Sequence, residues 1–559
     1  MEYLLFFAVL IGIFILLFIK GFFDEKRALK RLREKYIAEA GTKPTRQYSL
    51  DEIENIKKEF ERYKDEHCID DITAEDISIN DIFKRVNYSK SSAGDTHLYA
   101  MLRDPNLISD REAFEKKVRF FTENPKDRAD YELYFNKIGR MLKVSFFDCL
   151  DYFDTVNRKS LIPDLLSTVF LIAGIALIFV YPTGGILATV AALVYNILTY
   201  YSERGVIEPY IVTFSYIYRF IKEASSLANY KTEVLSDENK KIKECVDDLK
   251  PFMKNAGIVT SGRGTSTGVG NPFEMIGDYL AMTLHLDIIK FYQMLDVVKN
   301  NKETIEKLYI TLGEIEGYIN VSLLRESLNG QWCVPKKGEV LSVKEGYHPL
   351  IEDPVKNSIR ADKGVLITGS NASGKSTFLK TVLINVIFAQ NLNTAFASEY
   401  EAPSFSVFSS MSLRDDLGGK DSYFMVEIKA VKRIIDYASQ NPDKRILCFV
   451  DEVLRGTNTV ERIAASTEIL RYLSNINCVT FAATHDGELT FLLEDLYDNY
   501  HFEEEIIEND VLFNYRLNEG RATSRNAIKL LSVMGFNSSI VDSASERAAK
   551  FLEGGTWEV

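Results

Sequence analysis

The stretch that decides the reading is residues 365–377, VLITGSNASGKST. A short strand, Val365 to Thr368, leads into a loop that fits G-x-x-x-x-G-K-[ST] from Gly369 to Ser376, and a helical pattern follows from Ser376. A buried strand, a glycine turn and a helix N-terminus in succession present backbone N–H groups and positive potential to an anion. Lys375 is expected to reach the β- and γ-phosphates of ATP and Ser376 to give a hydroxyl to Mg²⁺. The loop and first helical turn, with Gly369, Ser373, Gly374, Lys375, Ser376 and Thr377, form the expected ATP-binding set. An incidental glycine-rich strand–helix turn is the competing explanation, and the flanking strand and helix weigh against it.

Working outward, Ile446 to Glu452 (ILCFVDE) is an apolar run ending in two carboxylates, and Cys478 to His485 (CVTFAATH) is another ending in Thr-His. Short apolar strands alternating with helical segments predict a parallel α/β sheet with crossover helices from Val365 onward. Such a sheet collects the C-terminal ends of its strands beside the loop. Asp451 is then expected to hold Mg²⁺, Glu452 to orient or deprotonate water, and His485 to meet the γ-phosphate or that water. A lone acidic pair or a lone histidine at a strand end is ordinarily a surface feature; the company of the loop carries the functional reading.

Together these residues resemble one family. TGSNASGKST (368–377), DDLGGKDSYFMVEI (415–428), DEVLRGTNTVER (451–462) and ATHDGELT (483–490) are similar in order and spacing to the MutS ATPase. His348-Pro349-Leu350 resembles the entry to that domain, and Asn514 to Ala527 its C-terminal segment, with Arg521 and Thr523 as substitutions. Residues 81–105 look like the start of the family's helical lever. The resemblance implies an ABC/MutS-like P-loop ATPase fold, Asn371 at the phosphates, and Ser422 as the signature serine that completes a partner subunit's site. A homodimer with two composite sites is therefore implied. Ser370, Ala372 and Ser373 replace the usual Pro, Met and Gly of the loop and are compatible with its geometry. Read from the residues alone, Ser422 precedes a helical run, Tyr423 to Tyr437, where serine also serves as an ordinary N-cap.

Tyr3 to Ile19 is an apolar run about long enough to span a bilayer, followed by Lys20, Lys26, Arg27, Lys30, Arg31, Arg33 and Lys35. That bias predicts Met1 outside and the basic side in the cytoplasm. A second apolar region, Leu165 to Tyr201, is interrupted by Pro182-Thr183-Gly184-Gly185, read as the external turn of a membrane hairpin. Arg158, Lys159 and Arg204 flank it. A helical hairpin buried in a soluble domain is the alternative. The expected organisation is a membrane helix at 1–20, a helical cytoplasmic region at 21–160, a transmembrane hairpin at 161–202, a helical region at 203–335 and the ATPase domain at 336–559. This describes a multi-pass protein of the cell membrane with its ATPase in the cytoplasm. The Gly262 to Gly270 stretch reads as a linker, since no apolar strand precedes it.

The 559 residues carry a net charge of -13 and are 46% hydrophobic and 26% charged, ordinary globular usage with an acidic excess. An acidic chain repels DNA phosphates unless it holds a local basic patch. The six cysteines make no CxxC pair and suit a reducing compartment. No mismatch-reading domain precedes the lever-like segment, and the hairpin lies where the family would place DNA-embracing helices. The expectation is a membrane-anchored MutS-like ATPase that couples nucleotide turnover to DNA or to a protein partner. A membrane-complex motor with no nucleic-acid role and a non-enzymatic nucleotide sensor are the alternatives.

Overall fold

The computed structural model describes residues 20–21, 23–24, 26–141, 144–157, 160–230, 232–254, 283–370, 373–411, 423–454, 457–507, 510–522 and 527–554. The Tyr3–Ile19 run, the Gly262–Gly270 stretch, Asn371 and Ser422 lie outside the described residues. The chain divides into two compact units, one from Met1–Tyr63, Val86–Tyr99 and Glu112–Ser327, the other from Lys64–Arg85, Ala100–Arg111 and Leu328–Val559.

Along the first part of the chain the helices are α1 (Leu50–Glu61), α2 (Asp71–Asp76), α3 (Ile79–Val86), α4 (Ser92–Arg103), α5 (Arg111–Glu123), α6 (Pro125–Ile138), α7 (Phe146–Thr155), α8 (Ile162–Ile178), α9 (Pro182–Ala228), α10 (Ser236–Asp248), α11 (Leu286–Asn300) and α12 (Lys302–Ser327). Local signals start several of them. Ser49 and Glu52 form a reciprocal capping box on α1, and Ser145 caps α7 by accepting from the Asp148 amide.

The core of this helical unit is aromatic. Phe146 stacks on Tyr309, with ring centroids 4.5 Å apart and planes 8° apart, among Phe147, Phe214, Phe220 and Phe291. Helix α12 runs through it, and Glu316 and Asn320 are among its buried polar residues. Asn320 Oδ1 accepts from the Tyr88 amide at 2.6 Å, and the Glu316 carboxylate accepts from the Ser91 amide at 3.1 Å and from the Lys90 amide. These side chains satisfy the main chain of the turn before α4, which a buried loop requires.

The apolar hairpin is present, and its turn differs from the sequence expectation. The chain reverses at Phe179–Tyr181, and Pro182 opens α9 instead of interrupting it. Proline lacks an N–H that the first helical turn leaves unbonded anyway, so the expected breaker acts as a starter. One glycine from each helix serves packing: a Cβ on Gly185 would lie 2.3 Å from the Ile178 amide nitrogen, and one on Gly174 of α8 would lie 3.1 Å from Thr189. Helix α9 continues for 47 residues to Ala228, well past the expected end near Tyr201. Pro182–Gly205 is long and apolar enough to cross a membrane, whereas Ile162–Ile178 is a shorter apolar helix. Leu165, Phe170, Ile172, Phe179, Leu187 and Leu198 on this hairpin are all exposed.

The second unit is mixed α/β. Its strands are β1 (Lys336–Lys337), β2 (Leu341–Gly346), β3 (Asn357–Ala361), β4 (Gly364–Thr368), β5 (Glu399–Ala402), β6 (Ser406–Ser410), β7 (Ile446–Asp451), β8 (Cys478–Ala483), β9 (Tyr497–Ile507) and β10 (Asp510–Glu519). Its later helices are α13 (Lys375–Asn391), α14 (Tyr423–Gln440), α15 (Thr459–Ser474), α16 (Leu489–Leu492), α17 (Ala527–Val533) and α18 (Ser538–Gly554). The main sheet has the order β10-β9-β4-β8-β7-β6, with β4, β6, β7, β8 and β9 parallel and β10 antiparallel. A smaller sheet has the order β1-β5-β2-β3. All five residues of β4 are buried, as a central parallel strand covered on both faces demands.

Burial pushes the Glu316 carboxyl up to about 7, with Asp95 adding to the effect and the Ser91, Lys90 and Arg140 contacts opposing it. Between about 4.5 and 7 the folded chain therefore keeps a proton that the unfolded chain releases, so this group lowers stability as pH rises through that window. Glu316→Gln should flatten the fall in thermal unfolding midpoint between pH 5 and pH 8, by an amount equivalent to about 1–3 kcal/mol. An unchanged slope would contradict the assignment.

Candidate functional site

The parallel register of β7, β8 and β4 builds the site. Asp451 stands opposite Ala483, and Ala483 stands opposite Ile367. The residues that follow those positions, Glu452, Thr484 and Thr368 with Gly369 after it, therefore emerge on one edge of the sheet. Main-chain bonds tie the three exits together: the Glu452 amide donates to Ala483 O at 2.9 Å, and the Thr484 amide donates to Ile367 O at 3.0 Å.

At Gly369 the backbone turns with φ +144°, and a Cβ there would sit 2.8 Å from Phe502 O. Gly374, at φ +108°, caps α13 from a left-handed conformation that a side chain would strain. Between these glycines Ser370 Oγ donates to Glu504 Oε2 at 2.8 Å. Ser373 is buried, and its Oγ has no hydrogen-bond partner among the described residues. Lys375 Nζ donates to Gly369 O and Ser370 O, each at 2.8 Å, which places the ammonium inside the curve of the loop.

The acidic and imidazole groups converge on the same place. Ser376 Oγ donates to Asp451 Oδ2 at 2.5 Å. His485 Nε2 lies 2.7 Å from Glu452 Oε1 and 3.4 Å from Lys375 Nζ. Glu452 itself has φ +60°, a left-handed conformation that costs a non-glycine residue about 1 kcal/mol and that clusters at functional sites. Past His485, Asp486 is clamped by Arg462 through two bonds of 2.8 and 2.6 Å, which fastens the end of β8 to α15. Thr377, in the first turn of α13, lines a neighbouring cavity of 410 Å³ with Gly346, His348, Asn357, Gly374 and Tyr515.

Every described residue of the expected set thus gathers here: Gly369, Ser373, Gly374, Lys375, Ser376, Thr377, Asp451, Glu452 and His485. The arrangement has the groups a magnesium nucleotide needs. A hydroxyl and a carboxylate oxygen, the hard donors that Mg²⁺ takes, meet at Ser376 and Asp451. The loop is closed to any Cβ at Gly369, and Ser373 Oγ is an orphaned polar atom beside it.

Tyr515 and Glu504 have no role in the sequence reading, and His348 and Arg521 enter it only through the family resemblance. Tyr515 stands in a left-handed conformation, φ +53°, with its ring carbon 3.1 Å from where a Gly374 Cβ would be, and its carbonyl accepts from Asn357 Nδ2 at 2.9 Å. Glu504 reaches the loop from β9. His348 is held neutral, its imidazole lowered to about 4 by burial and then by Lys380. The substituted Arg521 lies 4.0 Å above the Phe491 ring and donates to Thr490 O and Glu494, so it fastens the end of β10 to α16. Positive φ and contacts between strands far apart in sequence leave no local pattern to read.

A helical region followed by a mixed α/β sheet with a glycine loop at its centre is the class that fold and site define. Residues 365–552 match the family described as MutS domain V. The chain is 29% identical over 259 residues to the DNA mismatch repair protein MutS of Thermus thermophilus, covering 45% of this chain and 31% of that one. It is 33% identical over 273 residues to the MutS of Aquifex pyrophilus, 46% of this chain and 30% of the other. It is 28% identical over 315 residues to the MutS protein homolog 4 of Homo sapiens, 53% and 33%. Over residues 365–552 the chain is similar to the MutS family. It spans about a third of the length of these curated relatives.

Proposed function

We propose that this chain binds and hydrolyses ATP with Mg²⁺, as a membrane-anchored ATPase of MutS type, and couples that cycle to DNA or to a protein partner. The observation that carries the reading is the convergence of Lys375, the Ser376–Asp451 pair and the Glu452–His485 pair on one glycine loop. Lys375 and the loop amides, with Asn371, hold the triphosphate. The 410 Å³ cavity beside Gly374 and Thr377 receives the base, with the Tyr515 ring against it. Ser376 and Asp451 hold Mg²⁺, which when bound neutralises charge on the phosphates. Glu452 accepts a proton from the attacking water at a carboxylate oxygen, and His485 holds that carboxylate in place. Donors are needed on the side of the γ-phosphate that the loop leaves open, and Ser422 of a second copy is assigned there, giving a homodimer with two composite sites.

DNA as partner rests on the names of the relatives, two of which are DNA mismatch repair proteins. A motor of a membrane complex with no nucleic-acid role is the second reading, favoured by the net charge of -13, which repels a phosphate backbone. ATPase rates of the detergent-purified chain with and without duplex DNA separate the two. Stimulation or inhibition by DNA supports the first, and indifference at low salt supports the second.

Two outcomes are expected. Glu452→Gln should retain ATP binding and lose about 10²–10⁴-fold in turnover, since only the proton acceptor is removed; turnover at the wild-type rate would remove Glu452 from its role. The exposed apolar hairpin should keep the chain on membranes through an alkaline wash. Thr183→Cys, now the second residue of α9, should then be labelled from outside the cell by an impermeant maleimide. Release into the soluble fraction would rule out the anchor.

A further inference from the structure

Glu452 and His485 leave the sheet on neighbouring strands. Glu452 directly follows the last residue of β7, and His485 stands two residues past the end of β8. The strand register brings the two main chains side by side. The 2.7 Å contact between their side chains depends in addition on how the residues after them are held.

Helix α15 holds both continuations. Arg462, in its first turn, forks onto Asp486, the residue after His485, with Nε donating to Oδ2 at 2.8 Å and Nη2 to Oδ1 at 2.6 Å. Ser466, four residues on, donates from Oγ at 3.1 Å to the carbonyl of Val453, the residue after Glu452. Residues i and i+4 of a helix share a face. A single face of α15 therefore grips the residue next to each partner of the Glu452–His485 pair. His485 itself lies between two fastened neighbours, since the Thr484 amide donates to Ile367 O and the Asp486 amide donates to Thr484 Oγ1, each at 3.0 Å. The start of α15 is fixed by Asn458, whose side chain accepts from the Glu461 amide at 3.0 Å, and that sets the place of Arg462 one residue later.

The two grips differ in character. Ser466 is buried, whereas the Arg462 and Asp486 side chains keep 24% and 13% of their exposure. An ion pair in contact with solvent contributes little to stability. A forked guanidinium nevertheless fixes the orientation of the carboxylate it holds. The pair is thus suited to setting a direction more than to holding the fold together. We propose that Arg462 and Asp486 are positioning residues for the ATPase, which keep His485 against Glu452 and so aim the Glu452 carboxylate at the attacking water. The proposal rests on the reading of Glu452 as the proton acceptor and adds what aims it. Nucleotide binding is left to Lys375 and Ser376, which belong to α13 and are anchored through Gly369, Ser370 and Asp451.

The test uses the full chain in detergent. Arg462→Met, which removes the fork and keeps an aliphatic stem, should lower kcat for ATP about tenfold or more, as misplacement of a catalytic group does, and leave KM within about twofold. Its thermal unfolding midpoint should stay within about 3 °C of wild type. Arg462→Lys, which keeps the charge and loses the fork, should have a kcat between those of Arg462→Met and wild type. Wild-type kcat in Arg462→Met, a KM that rises as much as kcat falls, a midpoint lowered beyond that range, or Arg462→Lys no better than Arg462→Met would overturn the proposal. Amide exchange gives an independent reading: residues 484–488 should exchange faster in Arg462→Met than in wild type. If the wild-type chain hydrolyses no ATP, the proposed function fails. The hold on His485 is then judged by exchange alone, and equal exchange rates in Arg462→Met and wild type would refute it.

Discussion

The parallel pairing of β7 to β8 and of β8 to β4 is the constraint on which the rest of the α/β unit depends. Side chains alternate across a strand, so a shift of one residue in either pairing would turn Asp451 or Thr484 to the wrong face. The register Asp451–Ala483–Ile367 is held by burial on both sides of all three strands. With that register set, the loop after β4, the acids after β7 and the imidazole after β8 have little choice of place. Glu452, in its left-handed conformation, has its amide anchored to Ala483 and its carboxylate against His485.

This part of the site was legible because its signals are local. A glycine at each end of the loop, a lysine before the hydroxyl, an acidic pair after one apolar strand and a Thr-His pair after another can each be read within a window of ten residues. The parallel sheet follows from strand and helix alternation, and the resemblance to MutS sharpened the assignment of particular residues. What the window could not contain was anything depending on distant partners. Tyr515 and Glu504 belong to β10 and β9, more than a hundred residues from the loop they border, and nothing near them suggests a nucleotide.

The hairpin shows the opposite error, a strong local signal with the wrong sense. Pro-Thr-Gly-Gly is a turn by composition, yet proline at the first position of a helix is as favourable as proline in a turn, and Gly185 lets α9 pass close against the end of α8. Nor did the sequence reveal polar groups at the base of the hairpin. Asp164, in the first turn of α8, is buried against His285, 2.8 Å from its Nδ1, while Asn196 donates to Thr283 O. The apolar outer face and this inner polar contact together explain how a hairpin with so much exposed apolar surface joins a helical unit with an aromatic core.

The account's central claim is that the loop at Lys375 binds and turns over ATP in a site completed by Ser422 of a second copy. The direct measurement is ATP hydrolysis by Lys375→Ala subunits, by Ser422→Arg subunits, and by the two mixed. Each variant alone should be inactive, and the mixture should regain activity corresponding to no more than one competent site per heterodimer, formed by the intact loop of one subunit and the intact Ser422 of the other. Normal hydrolysis by Ser422→Arg alone, or no recovery on mixing under conditions where the two associate, would contradict the claim.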